Sequence, residues 1–496
     1  ADRLLALRVY TSRLIGSDPD LVMHGGGNTS VKVTRRDLFG EEIRVLHVKG
    51  SGWDLGDIEA PGLPGVRLDP LLELRRLDAL SDEDMVNQQR SNLLDSAAPN
   101  PSVETLLHAN LPHTYVDHTH ATPFLALANL PELEDAVREI FGDRLSIVPY
   151  ILPGFGLAKK AAEVFEVNPG VEGLLLKNHG HFAFGPTAQA SYDKIIEHTN
   201  LVADWLDQRT PPLKPAAAIP ETDLGAVLPA FRGIVGEVMA DYQGNPDAAM
   251  PVFDLRDGPD VMAFLESQPL AEVSRHGVAT PDHVLRTKRF PLVLSREVLT
   301  GGRDALGAAV EEFVSDYRAY FERNNARVGG IKTLVSPHPC VAWMAGIGVI
   351  GIGANAKAAG AAADLAEQTL TVIRQGEAAG GFRPIGEEDT FDAEYWSLEQ
   401  AKLGRGTPPV FQGRVVMVTG GAGAIGRASA KAFAQGGAQV FLVDRDPELL
   451  ATALDELGRW HGGTALDVTE PGAAEAAMAA CVRRFGGLDI LVSNAG

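Results

Sequence analysis

Residues 415–428, VVMVTGGAGAIGRA, carry an apolar strand-like run into a glycine turn and then open a helix, and few folds accommodate that succession. A strand that hands the chain to a helix through a glycine turn, with another strand following, belongs to a doubly wound parallel sheet. The pattern is TGxxx[AG]xG, with Gly420 and Gly426 at its ends and Ala424 where glycine is more usual. Glycines permit the turn and let a pyrophosphate reach the helix N-terminus. FLVDRD then ends a second strand at Asp444, whose carboxylate would accept ribose hydroxyls and repel a 2′-phosphate; Arg445 beside it argues the other way. ALDVT supplies Asp467 and Val468, and LDILVSNAG ends a further strand at Asn494, Ala495 and Gly496.

At 496 residues, 45% of them hydrophobic, the chain exceeds one core and predicts two to four domains. Two composition shifts divide it. DQRTPPLKPAAAIPET (207–222) reads as a linker, and the polar stretch 380–414 reads as a second, holding a short helix over 395–403. The predicted organisation is 1–206, a linker 207–222, a middle segment 223–380, a linker 381–412, and 413–496. The formal net charge of −21 has no basic cluster to offset it, which argues against nucleic-acid and membrane-surface partners. Cys340 and Cys481 form neither a disulfide framework nor a thiolate zinc site, so a reducing cytoplasm is expected. CVAWMAGIGVIGIGAN (340–355) is short for a bilayer and rich in glycine, and it predicts a buried strand with a glycine-rich exit. The opening ADRLLALRVYTSRLIG predicts an amphipathic helix and no secretory signal; the missing Met implies a native start upstream.

An internal echo links two segments. NHGHFAFGPTAQA (178–190) and GIGVIGIGANAKA (346–358) align without gaps, matching Gly180 with Gly348, Gly185 with Gly353 and Ala190 with Ala358. Convergence of β-turn-α units on Gly and Ala accounts for this as well as a degenerate repeat does. Ile347 stands where His179 stands, so any metal chemistry belongs to the first copy.

VDHTHATPF places His118 and His120 two apart on a predicted strand, with both rings on one face. EGLLLKNHGHFAFG predicts a second strand ending in His179 and His181 at a glycine turn. A catalytic zinc wants three protein ligands and an open position, and His118, His120 and one histidine of the second strand supply that count. In NPSVETLLHANLPH, Ser102 is a cap candidate and Glu104 falls in the first helical turn, with His108 as a structural residue. MHGGGNTSVK and VKGSGWD add two glycine turns, and Asn28, Ser51 and Ser102 offer hydrogen bonds to a phosphate.

Taken in order, GGGNTSVK, KGSGW, PSVETLLHA, HTHATP and KNHGHFAFG make residues 1 to about 205 resemble the class II aldolase/adducin superfamily. The resemblance implies a class II aldolase-like α/β/α domain, a zinc or other divalent metal held by His118, His120 and His179, and Glu104 as acid/base. It also implies phosphate binding near Asn28, Ser51, Gly52 and Ser102, with His181 lining the site. The segment from 413 resembles the short-chain dehydrogenase/reductase family as a partial Rossmann-like sheet. That resemblance implies NAD held by Gly420, Ile425, Gly426 and Asp444, by Asp467 and Val468 along the adenine, and by Asn494, Ala495 and Gly496 beside the nicotinamide ribose. The family's later Ser and Tyr-x-x-x-Lys would lie beyond Gly496, so further chain is expected there. With TPDHVLRTKRFPLVL in the middle segment, the layout resembles bacterial bifunctional aldolase/dehydrogenases of the rhamnulose-1-phosphate aldolase/alcohol dehydrogenase type. This implies a homo-oligomeric, cytoplasmic enzyme that cleaves a phosphorylated ketose to dihydroxyacetone phosphate and lactaldehyde and then carries out NAD-linked redox chemistry. An epimerase or dehydratase of the same superfamily, or an adducin-like scaffold with an NAD-binding module, is the alternative.

Overall fold

A computed structural model describes residues 1–214, 223–245, 250–400 and 407–496. Parts of both expected linkers, and the end of the helix expected over 395–403, lie outside the described residues; within them that helix is one turn, Ser397–Gln400. The chain forms two compact units. One comprises Ala1–Pro211, Val278–Asp282 and Thr371–Ala401, the other Pro212–Gly277, His283–Leu370 and Lys402–Gly496.

The first unit is built on a seven-stranded sheet of β1 (Asn28–Arg36), β2 (Glu42–Val48), β3 (Gly65–Arg67), β4 (Tyr115–Thr119), β5 (Leu145–Val148), β6 (Gly173–Leu176) and β7 (Gly180–Gly185). Its order is β3-β2-β1-β4-β7-β6-β5, antiparallel except for the β5–β6 pair. Every residue of β4, β6 and β7 is buried, as expected of central strands covered on both faces. One face packs Leu106, Leu107, Phe155, Phe182 and Phe184 into the core. Beneath β4 a fully buried Arg8–Asp117 ion pair (2.6 Å), with the Ser191 hydroxyl donating to the same carboxylate, anchors the residue before His118.

The second unit holds two four-stranded sheets. In one, β8 (Val252–Arg256), β9 (Leu292–Leu294), β10 (Val341–Met344) and β11 (Gly348–Gly353) run in the order β8-β11-β10-β9. Pairs β8–β11 and β10–β11 are antiparallel and β9–β10 is parallel. This is the chain order, spatial order and sense of β4-β7-β6-β5, so the sequence echo has a topological counterpart. Two predicted single strands are thereby corrected: 172–185 and 340–355 each fold as a hairpin, because the turns at 177–179 and 345–347 reverse the chain through a residue of positive φ, Asn178 (+56°) in the first and Gly346 (+79°) in the second. Residues Gly185 and Gly353 make the same close approach in both copies, Gly185 to Ala190 and Ser191 and Gly353 to Ala358 and Ala359, on the helix that follows.

In the other sheet, β12 (Val415–Thr419), β13 (Gln439–Asp444), β14 (Gly462–Ala465) and β15 (Ile490–Val492) are all parallel in the order β14-β13-β12-β15. No helix among the described residues is long and apolar enough to cross a membrane.

Candidate metal centre and dinucleotide cleft

His118 lies near the end of β4, His120 one residue beyond it, and His179 in the β6–β7 turn. All three are buried, and a nitrogen from each lies within 4.8 Å of the others. His118 and His120 approach at 3.0 Å, Nε2 to Nε2, and the His118 Nδ1 faces the His181 carbonyl at 3.1 Å. Backbone geometry forces this convergence. Gly180 pairs with Leu176 next to the turn, and a Cβ there would lie 2.6 Å from the Thr119 carbonyl and 2.9 and 3.0 Å from the His120 and His118 rings.

Glu104 reaches the same point from the far side. Its Oε2 is 3.4 Å from His118 Nε2 and its Oε1 is 3.5 Å from His179 Nε2. The helix expected to be capped by Ser102, with Glu104 in its first turn, runs instead over Thr105–Asn110, with Glu104 at the cap position and no capping bond from its side chain. Its carboxylate is spent on the cluster: Oε2 accepts the Asn28 amide at 2.6 Å, while Oε1 is buried with no donor among the described residues. Burial pushes the Glu104 carboxyl up, but His118, His179, the Asn28 amide and Lys49 outweigh it, so the group sits below its ordinary value. The raised pKa expected of a proton shuttle is therefore not what these surroundings give. Burial holds the His118 imidazole down to about 4 against the pull of Glu104, which leaves it neutral with a lone pair to give.

These residues fit a divalent cation. Three imidazole nitrogens converge beside a carboxylate oxygen that lacks any donor among the described residues, the ligand set and open position that catalytic zinc sites use.

The expected phosphate residues gather from three loops. An isolated bridge between Gly50 and Pro101 sets the turn of Ser51 and Gly52 beside Ser102, and the Ser51 N–H donates to the Asn100 carbonyl at 2.7 Å. Asn28 starts β1, donates to Ser102 Oγ at 3.2 Å as well as to Glu104, and its carbonyl oxygen meets His108. The Asn28 amide thus orients the carboxylate. His108 is structural, held also by Ser30 Oγ at 2.8 Å. His181 points away from the cluster, stacked on Phe124 at 4.0 Å and bonded to His198 at 3.1 Å. Sequence reasoning passed over Lys49, a buried ammonium inside the quoted KGSGW motif that donates to the Gly25 and Gly27 carbonyls at 2.7 and 3.2 Å. It also passed over Asp282, 3.7 Å from His120 Nδ1.

In the second unit, strands β13 and β14 extend the sheet to one side of β12 and β15 to the other, so the crevice at their carboxyl ends is a topological switch point, where α/β sheets bind ligands. Gly420 has φ +62° and lies against Asn494 and Ala495, and a Cβ on Gly426 would collide with the Gly420 carbonyl, so both glycines are sterically required. Asn494 closes the crevice by donating from Nδ2 to the Thr419 and Gly420 carbonyls at 3.0 and 3.1 Å. Thr419, unnoticed in the sequence, receives the Asn494 and Ala495 N–H groups on its hydroxyl. Asp444 ends β13 with its carboxylate on the Ala422 and Asp446 N–H groups, while Ile425 and Val468 are exposed. The Asp467 carboxylate takes the Thr469 N–H and hydroxyl, which hold it below its ordinary value. Gly496 is exposed with open space around it.

Three family models match separate stretches of the chain. Residues 7–206 match the class II aldolase and adducin N-terminal domain, 222–403 the class II aldolase second domain, and 414–496 the short chain dehydrogenase family. The chain is 34% identical over 507 residues to the uncharacterized oxidoreductase YuxG of Bacillus subtilis, covering 98% of this chain and 72% of that protein. It therefore belongs to the family of enzymes in which a class II aldolase is fused to a short-chain dehydrogenase. Its last segment is 41% identical over 85 residues to the 3-oxoacyl-[acyl-carrier-protein] reductase FabG of Vibrio cholerae, covering 17% of this chain and 35% of that protein. The N-terminal class II aldolase domain of a conserved Thermoplasma acidophilum protein is 43% identical, covers 40% of this chain and 92% of that one, and superposes with a TM-score of 0.39.

Proposed function

We propose that the first unit is a metal-dependent lyase that cleaves a deoxyketose 1-phosphate of the rhamnulose or fuculose type into dihydroxyacetone phosphate and lactaldehyde. The 413–496 segment holds NAD for redox conversion of the aldehyde. The carrying observation is the convergence of His118, His120, His179 and Glu104 on one buried point.

A zinc or similar ion on the three histidines supplies Lewis acidity for the substrate's carbonyl and hydroxyl oxygens. Breaking the C3–C4 bond removes the C4 hydroxyl proton, turns C4 into the aldehyde and leaves C3 carrying an electron pair that must be protonated. Glu104, ionised at rest and with no donor on Oε1 among the described residues, takes up the proton released from the C4 hydroxyl and returns it to C3, so the step closes without a net gain or loss of protons. Asn28 orients that carboxylate, and the loops of Ser51, Gly52 and Ser102 take the phosphate. In the nucleotide cleft Gly420, Ile425 and Gly426 admit the pyrophosphate, Asp444 faces the adenosine ribose, Asp467 and Val468 flank the adenine, and Asn494 to Gly496 lie by the nicotinamide ribose. Class II aldolases act on phosphorylated sugars and are often oligomers, and a cytoplasmic homo-oligomer is the expectation for this chain.

The test is elemental analysis of the purified chain beside a His118→Ala/His120→Ala variant, with release of dihydroxyacetone phosphate from rhamnulose and fuculose 1-phosphates followed enzymatically. We expect about one divalent ion per chain, lost in the double variant, and cleavage reduced at least ~100-fold by Glu104→Gln. A folded wild type that takes up no metal, or a Glu104→Gln variant that cleaves normally, would overturn the assignment.

A further inference from the structure

We propose that Asp282, contributed by the middle segment, is the carboxylate that positions His120 for metal binding; the proposal rests on the three histidines being a divalent-metal site. Val278–Asp282 belongs by its contacts to the compact unit of the histidines, although its sequence neighbours on both sides belong to the other unit. It is held there firmly. Val278, Ala279 and Thr280 are buried, and the Asn129 amide donates to the Ala279 carbonyl at 2.8 Å.

This anchoring carries the Asp282 Oδ2 to 3.7 Å from His120 Nδ1. The opposite nitrogen of the same ring, Nε2, lies 3.0 Å from His118 Nε2, inside the cluster. His120 thus has one nitrogen turned toward the metal position and the other toward a carboxylate. His118 shows the same division of labour, its Nε2 inward and its Nδ1 on the His181 carbonyl. A carboxylate on the outer nitrogen of a ligating histidine fixes the tautomer, holds the ring orientation and raises ligand basicity. Gly26 keeps the approach open, since a Cβ there would lie 3.2 Å from His120 Nδ1. His179 has no such aid among the described residues, where its Nδ1 is buried without a partner. The TPDH turn therefore gives the middle segment a part in the aldolase site that strand topology alone does not show.

The experiment uses the full chain and its Asp282→Ala and Asp282→Asn variants. Zinc affinity is measured by competition with a chromophoric chelator, and the visible ligand-field spectrum is recorded after loading with cobalt(II). Asp282→Ala is expected to bind zinc about 10–100-fold more weakly, with a changed cobalt spectrum and an unchanged melting temperature without metal. Asp282→Asn, which keeps an acceptor and loses the charge, is expected to fall between Asp282→Ala and wild type. Wild-type affinity and spectrum in the alanine variant would overturn the proposal; should that variant fail to fold, the same result in the asparagine variant does so. A folded wild type that binds neither ion removes the metal reading itself, a failure visible before any variant is compared.

Discussion

At the scale of single residues, burial decides what each histidine can do. His118 and His108 are both fully enclosed and both titrate below the ordinary histidine range, yet only His118 has a nitrogen in the cluster, while His108 is consumed by Ser30 and Asn28. For His118 the unfolded chain protonates near 6.5 and the folded chain near 4. Between these values the unfolded state holds the extra proton, so this contribution to stability is complete above about pH 6.5 and is lost as the pH falls toward 4. Metal-free wild type should lose about 3 kcal/mol across that window from this group, and His118→Asn should flatten the slope. Denaturant unfolding of both proteins over a pH series checks it; parallel slopes would reject the assignment. The spacing of His118 and His120 was visible in the sequence because a strand repeats every two residues. The partners Lys49 and Asp282 were not, because each is brought in by a loop whose path no local periodicity encodes.

Elements explain why the cluster exists in one copy of the repeated topology and not in the other. In β4–β7 the register pairs His118 with Phe182, and in β8–β11 it pairs Leu255 with Ile350, the residue that aligns with Phe182. The second sheet thus carries leucine and isoleucine where the first carries His118 and His179, and it closes as ordinary apolar core around Leu292, Leu294 and Met344. The hairpin turn is the critical element in the first copy. Gly180→Ala would drive a methyl group between the Thr119 carbonyl and the His118 and His120 rings, whereas the aligned Gly348 faces Arg256 and Leu255. The variant should lose about 1–3 kcal/mol of stability and bind zinc measurably more weakly. Urea unfolding with a zinc titration tests this, and unchanged zinc affinity would show that the turn does not set the ligand geometry.

On the scale of the whole molecule, the boundaries of compact structure do not follow the family segments. The nucleotide-binding sheet shares a unit with most of the middle segment: Val482 packs in the core around β8–β11, and Val252 and Ala356 pack in the core around β12–β15. Arg232 ties the two, donating to both oxygens of Asp489 and to the Pro251 and Gly413 carbonyls. Its removal leaves the largely buried Asp489 carboxylate without its cation, with the Val415 N–H still donating to Oδ2, so Arg232→Met should cost about 3–5 kcal/mol and lower amide-exchange protection in both sheets of the unit together. Loss confined to one sheet would mean that they unfold separately. Sequence by itself determined the local devices of this protein: the glycine turn at 420–426, the strand spacing of His118 and His120, and the echo between 178–190 and 346–358. These depend on period and steric need within a few residues. Only the tertiary structure decided that Glu104 faces the histidines instead of capping its helix, that Asn28 orients it, and that five residues from the middle segment bring Asp282 to His120. Those outcomes depend on which distant backbone can approach closely enough to satisfy a buried polar group, and that is a property of the packed chain.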